Sequence, residues 1–305
     1  MGRQNVITFL LIGYLAVVVI LMLSRNVSIT PDRLFIFLLF AALILGRLKT
    51  FLRDWVPFLA LLLAYEMLRG FADNHFPVHV VSLVNAEKAL FGGYLPTEAL
   101  QHLFYRAGSI GWQDIGASVL YFLHFPLPIV FAFFLWLKNK QHYYKFVIAL
   151  LVLSFGGFIT FLLFPAAPPW YAAQEGLIPV TKITKLVVDH LGWNWNLSYY
   201  YSHLNPNQVA AMPSLHAAYP TLVLLALRRY SKKLFWWFLP YPPAVWVSTI
   251  YLGEHYAIDI IAGVAYALAA YFLVYNFAAV KRFALKMAPQ SWSKKFRRLE
   301  TSEEI

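Results

Sequence analysis

The chain contains no cysteine. Disulfides, thiol nucleophiles and cysteine metal sites are therefore excluded, while the compartment stays open. Charge is scarce as well. Asp, Glu, Lys and Arg make up 13% of the residues, against about 25% in a soluble domain. Between Val6 and Leu23 there is no charged residue at all. A run of roughly 20 apolar residues is what crosses the hydrocarbon core of a bilayer. A cleavable signal peptide fits this run poorly. It lacks a strong basic n-region and a small-residue cleavage site, and further apolar runs follow.

What is there is mostly apolar, 60% of the chain. The pattern predicts an all-α, polytopic integral membrane bundle of about eight transmembrane helices. They fall near residues 6–23, 34–46, 55–69, 115–137, 144–164, 212–227, 234–251 and 257–279. The Lys and Arg count gives an orientation. With the N-terminus placed in the cytoplasm, 18 of the 25 basic residues lie on the cytoplasmic side. The other seven are Arg25, Arg33, Arg69, Lys88, Arg106, Lys182 and Lys185. Excess Lys and Arg marks the cytoplasmic face, so both termini are expected there. The net charge of +11 then reads as topology and contact with anionic lipid, not as a nucleic-acid footprint.

Two long connections, about 70–114 and 165–211, are expected on the opposite side. In the first, Thr97 starts a short helix, Glu98 lies in its first turn and Gly108 stops it. Leu100, Leu103 and Phe104 share one face, which suits a helix lying in the membrane interface.

The chemistry-bearing residues gather at the far ends of the last three spans. His216 stands in "AAMPSLHAAYP" (210–220), at the head of the sixth span. His255 and Asp259 stand in "GEHYAID" (253–259), spaced i and i+4. On a helix beginning near His255 the two share one face. An ionisable group inside an apolar span points to function, and its expected partner is named with it. Asp259 and Glu66 are the carboxylates embedded in spans, the first beside His255 and the second forming an ion pair with Arg69 at i+3. A carboxylate fixes the imidazole tautomer and makes the other nitrogen more basic. Such a nitrogen can attack phosphorus and form a covalent intermediate, while a second histidine protonates the departing oxygen. A purely structural His–Asp hydrogen bond and a metal site on His216, His255 and Asp259 are the other readings of these residues. A metal site on His75 and His79 is weakened by Pro77 between them.

Here the chain resembles a known family. "PSLH" (213–216) and "GEHYAID" are similar to the second and third signature motifs of the type-2 phosphatidate phosphatase superfamily. "FGGYLPTEALQ" (91–101), "YFLHFPLP" (121–128) and "FPAAPPWYA" (164–172) resemble the branch of fungal inositol phosphorylceramide synthases and their actinobacterial relatives. The resemblance covers about residues 85–275. It implies a catalytic domain over 85–280 with a six-helix core, preceded by N-terminal helices (1–84) and followed by a basic cytoplasmic tail (281–305). It implies that His255 becomes phosphohistidine, that Asp259 orients it and that His216 is the acid and base. Pro213, Ser214, His124, Pro168, Pro169, Trp170, Tyr171 and Tyr251 are the expected substrate contacts. No metal and no cofactor is expected.

Two family features are missing. There is no Arg-Pro dipeptide, and Ser248-Thr249 stands where the phosphatases carry Ser-Arg. The expected activity is therefore transfer of a phosphoryl or inositol-phosphate head group from a phospholipid, such as phosphatidylinositol, to a lipid acceptor. It is expected on the extracytoplasmic face of a bacterial cell membrane. A lipid phosphate or pyrophosphate phosphatase is the alternative, and a non-catalytic transporter or scaffold the second. Lys88, Arg106, Lys182 and Lys185 are the phosphate-binding cations to consider.

Overall fold

The computed structural model describes residues 31–71, 76–191 and 207–277. The first apolar run, His75 and the basic tail lie outside them. The described residues are helical, with no strand. The helices are α1 (Pro31–Ile44), α2 (Leu48–Phe71), α3 (Val81–Leu90), α4 (Pro96–Phe104), α5 (Trp112–Leu123), α6 (Pro126–Lys138) and α7 (Lys140–Leu163). Then follow α8 (Pro169–Gln174), α9 (Ile183–His190), α10 (Leu215–Tyr230), α11 (Lys232–Phe238), α12 (Tyr241–Tyr251) and α13 (Ala257–Tyr275). α10 is the central helix. It packs on α13, α12, α7 and α6, while α2 lies against α7 and α1 against α2.

Two expected spans are broken. The run 115–137 forms α5 and α6, bent by 49°. Proline has no N–H and its ring crowds the carbonyl four residues back, so Pro126 interrupts the helical bonding and the break falls at His124–Phe125. The run 234–251 is split at Leu239–Pro240 into α11 and α12. By length and composition α7 and α13 can each cross a membrane, and α5 with α6 makes a third span if taken together. The other expected spans among the described residues fall on helices that are shorter (α1, α10, α12) or carry more charge (α2).

More carboxylates are buried than Asp259 alone, and each has partners. Burying a charge is costly unless it is paired and hydrogen-bonded. Asp54, buried in α2, accepts from Trp136 Nε1 (2.8 Å) and Tyr144 OH (2.8 Å) and pairs with Lys140. That cluster ties α2 to α6 and α7. Asp114 accepts from the Gly111 N–H at 2.7 Å and from the Tyr251 hydroxyl. Glu87 of α3 accepts the N–H groups of Ala257 (2.8 Å) and Ile258 (3.1 Å). It thereby caps the first turn of α13, whose N–H groups have no partner within the helix.

The connections meet at one end of the bundle. Parallel bridges join His79 to Ala166 and Ala166 to Ala210. The "FPAAPPWYA" strip therefore lies between the other two segments. α4 starts at Pro96, one residue before the expected Thr97, and ends at Phe104. Its polar Thr97 and Gln101 are buried, while Leu103 and Phe104 are 74% and 54% exposed. Gln101 is held inside by Thr181 and Tyr251, donating to both carbonyls at 2.8 and 2.9 Å. Apolar residues facing out and polar residues facing in suit a helix lying against lipid.

Candidate active site

The site is built where α10 and α13 approach most closely. Ser214 caps α10, its Oγ accepting the Ala217 N–H at 3.3 Å, and its own N–H donates to the Asp259 carbonyl at 3.0 Å. Gly263 permits this approach, since a Cβ there would overlap the Ser214 carbonyl. His216 and His255 are thereby brought into contact, their rings tilted by 58°. His216 Nδ1 and His255 Nε2 are 2.9 Å apart, within hydrogen-bonding distance.

His255 does not sit on the helix with Asp259. α13 begins at Ala257, with Tyr256 as its cap and Asp259 in its first turn. Asp259 Oδ2 accepts the Tyr256 N–H at 2.9 Å. It stands 3.4 Å from His255 Nδ1, close enough for an ion pair but not aligned as a hydrogen bond. The expected pairing is therefore present, made by a carboxylate that also caps the helix.

His216 packs against two rings. Tyr121 stacks on it at 4.2 Å and 16°, and His124 lies 3.8 Å away on a tilted plane. His124 Nδ1 is 2.6 Å from the Tyr121 carbonyl, which fixes that nitrogen as the N–H donor. Tyr121 comes from the last turn of α5 and His124 from the break that follows it.

These residues line an open cavity. Its wall includes His124, Pro168, Trp170, His216 and His255 from the sequence reading. Asp259 stands behind His255. Pro169, Tyr171, Pro213 and Ser214 are not on its wall. Tyr251 is a correction: its hydroxyl bonds Asp114, and the side chain belongs to a separate cluster with Ala117 and Ile183. Thr249 is buried, its hydroxyl donating to the Trp246 carbonyl at 2.9 Å.

The expected phosphate cations are elsewhere. Lys185 pairs with Asp189 at 2.7 Å. Lys182 lies 3.6 Å over the Trp170 ring, behind the wall, and burial pushes its pKa down. The cation on the wall is Arg69, whose Nη1 is 3.9 Å from the Glu66 carboxylate. The Glu66–Arg69 pair is thus present as read from the sequence, but it faces the cavity. Tyr65, Tyr121, Tyr219, Asn207 and Glu254 also line it. Among the described residues no group of three His, Asp or Glu side chains could hold a metal ion. His79 instead stacks on Phe164 at 3.9 Å.

A family model described as the PAP2 superfamily matches residues 82–273. The chain belongs to the PAP2 superfamily. It is an enzyme of that superfamily's lipid phosphotransferase or lipid phosphatase kind. A "Phosphoinositol dihydroceramide synthase" of Bacteroides thetaiotaomicron is 29% identical over 275 residues, 85% of this chain and 87% of the relative. An "Inositol phosphorylceramide synthase" of Candida albicans is 27% identical over 53% of this chain, which spans 36% of that longer protein. The "Inositol phosphorylceramide synthase catalytic subunit AUR1" of Saccharomyces cerevisiae is 28% identical over 72% of this chain and 55% of its own length. No solved structure matches.

Proposed function

We propose that this PAP2-superfamily protein moves an inositol-phosphate head group from an inositol phospholipid to the hydroxyl of a ceramide-type lipid, through a phosphohistidine on His255. The observation that carries the reading is the contact of two imidazoles, their nitrogens 2.9 Å apart on a cavity wall, with Asp259 at the remote nitrogen of His255. The relative matched over most of both chains is named for phosphoinositol and dihydroceramide, which favours this donor and acceptor.

The residues divide the work by position. Asp259 holds a proton on His255 Nδ1, which leaves the Nε2 lone pair for phosphorus. His255 Nε2 attacks, a P–N bond forms, and the P–O bond to the diacylglycerol oxygen breaks. His216 donates its proton to that oxygen. It then takes the proton of the acceptor hydroxyl, whose oxygen attacks phosphorus as the P–N bond breaks. Each proton and electron pair is returned, and the histidines are ready for a second turnover. Substrate phosphate enters between the two imidazoles and replaces their mutual contact. Tyr121 and His124 keep the His216 ring in place meanwhile.

A transferase must shield its intermediate from water, and closing a site suppresses such hydrolysis. Trp170, on the wall and backed by Lys182, suits that cover. We place the site on the extracytoplasmic face, on the charge asymmetry of the sequence.

The test supplies the purified chain with phosphatidylinositol radiolabelled on phosphorus and a ceramide. Label is expected mainly in a new lipid, and Trp170→Ala is expected to raise the hydrolysed share while lowering total turnover. Inorganic phosphate from a phosphomonoester lipid as the dominant product under every acceptor would replace the transferase reading with the phosphatase.

A further inference from the structure

His124 uses one ring nitrogen within the protein. Its Nδ1–H donates to the Tyr121 carbonyl at 2.6 Å. In a neutral imidazole the other nitrogen then carries a lone pair and can only accept. The residue is half-buried and lines the cavity, and Nε2 is not one of the sealed polar atoms of the interior. The lone pair is therefore within reach of a ligand.

Its neighbours leave that lone pair unused. Tyr219 stacks on the ring at 6.2 Å and 14°, but a hydroxyl has a single hydrogen to give. Ser154 donates its own to the Leu150 carbonyl at 2.8 Å. In the 2.9 Å contact between Ser154 and Tyr219 the donor is therefore Tyr219, and its hydrogen is spent. His216 packs 3.8 Å away on a tilted plane and turns its Nδ1 to His255. No donor among the described residues reaches His124 Nε2.

An acceptor on the wall sorts ligands by the hydrogens they carry. An ionised phosphodiester has none, and its oxygens repel the lone pair. A hydroxyl has one. A substrate lacking that hydroxyl would cover the lone pair without bonding it, which costs binding free energy.

We infer that His124 Nε2 accepts a hydrogen bond from a substrate hydroxyl, so that the wall beside His216 takes a hydroxyl-bearing group and not the phosphate. The reaction proposed above offers two sources of this chemistry, a ring hydroxyl of the inositol head group and a hydroxyl of the ceramide-type acceptor. The inference rests on reading the cavity as the substrate site.

The test measures binding of short-chain lipids to the full chain in detergent micelles, read as saturable thermal stabilisation. One series is a short-chain phosphatidylinositol and analogues each lacking one ring hydroxyl. The other is a short-chain ceramide and the analogue lacking its secondary hydroxyl. In the wild type, loss of the hydroxyl that meets Nε2 should weaken binding by about threefold to tenfold, the net worth of a neutral hydrogen bond. His124→Phe keeps a ring against His216 but has no lone pair, and should bind that analogue and its parent within about twofold of each other. His124→Gln, whose amide oxygen can accept, should restore part of the discrimination. A merely structural role for His124 would leave the discrimination unchanged. Discrimination lost in the inositol series places the hydroxyl on the head group, and in the ceramide series on the acceptor; either supports the inference. Equal discrimination in wild type and His124→Phe across both series overturns it, as does a wild type that discriminates in neither. Should His124→Phe not fold, analogues with fluorine in place of the hydroxyl decide on the wild type. Fluorine offers no hydrogen, so these should bind as weakly as the deoxy analogues, and full recovery of affinity overturns the inference. Discrimination that depends on His124, without transfer to ceramide, would keep the inference and remove the transferase assignment. Transfer to ceramide with discrimination unchanged in His124→Phe would do the reverse.

Discussion

Gly263→Ala perturbs the site without touching a reacting group. The α10–α13 contact has its narrowest point at Gly263, where an added Cβ would overlap the Ser214 carbonyl. That atom is backbone, at the start of α10, and cannot swing aside. The helices must separate instead. Overpacking of this kind costs about 1–3 kcal/mol, against about 0.5–1 kcal/mol gained by replacing a helical glycine with alanine. The net expectation is a loss of up to about 2.5 kcal/mol in stability. The effect on turnover should be larger. Ser214 lies two residues before His216, and its N–H is bonded to the Asp259 backbone, so separation moves both halves of the histidine pair. A misplacement of about 1 Å can cost about 10²-fold in rate, near 2.7 kcal/mol at 1.36 kcal/mol per tenfold. Gly156→Ala in α7 is the control, because its Cβ would meet only the Tyr266 ring, at 3.8 Å. Thermal unfolding and single-turnover rates of both variants form the assay. If Gly263→Ala matches Gly156→Ala in rate and stability, close approach of α10 and α13 does not set the histidine geometry.

Other outcomes follow from the same arrangement. His255→Ala should lower turnover by about 10⁴-fold or more and abolish an acid-labile phosphoenzyme, whereas His216→Ala should slow turnover yet still take label. Near-normal turnover in His255→Ala excludes the covalent route. Glu87→Gln can accept only one of the two α13 N–H bonds well and should cost about 1 kcal/mol or more. Burial, the largest influence, pushes the Glu87 carboxyl above its usual range. The folded state thus holds that proton more tightly than the unfolded one. The advantage of wild type over Glu87→Gln should be greatest below the unfolded carboxyl pKa of about 4.3 and shrink as pH rises through the folded value. A gap in unfolding temperature that widens with pH would contradict this. Cysteine placed at Gly92 should react with an impermeant reagent in intact cells and one at Ser231 should not; the reverse pattern inverts the orientation.

Residues close in sequence made the heart of the site legible. "PSLH" and "GEHYAID" could be read directly, and the spacing of His255 and Asp259 predicted their contact. The apolar runs marked the helices, and Pro126 and Pro240 account for the two breaks that the run lengths concealed. The reading failed where long-range contacts decide. Asp259 reaches His255 as the carboxylate that caps α13, not along a shared helical face, because the helix starts only at Ala257. Tyr251 turned to Asp114, since a buried hydroxyl takes the partner that packing brings to it. Glu87 caps a helix 170 residues away. Arg69 and Glu66 were legible as a pair, but no local pattern could say that α2 would set them on the wall beside His216. A pair at i and i+3 follows from the helical repeat alone. The cavity it faces exists only once α2, α5, α10 and the 207–211 segment have packed together.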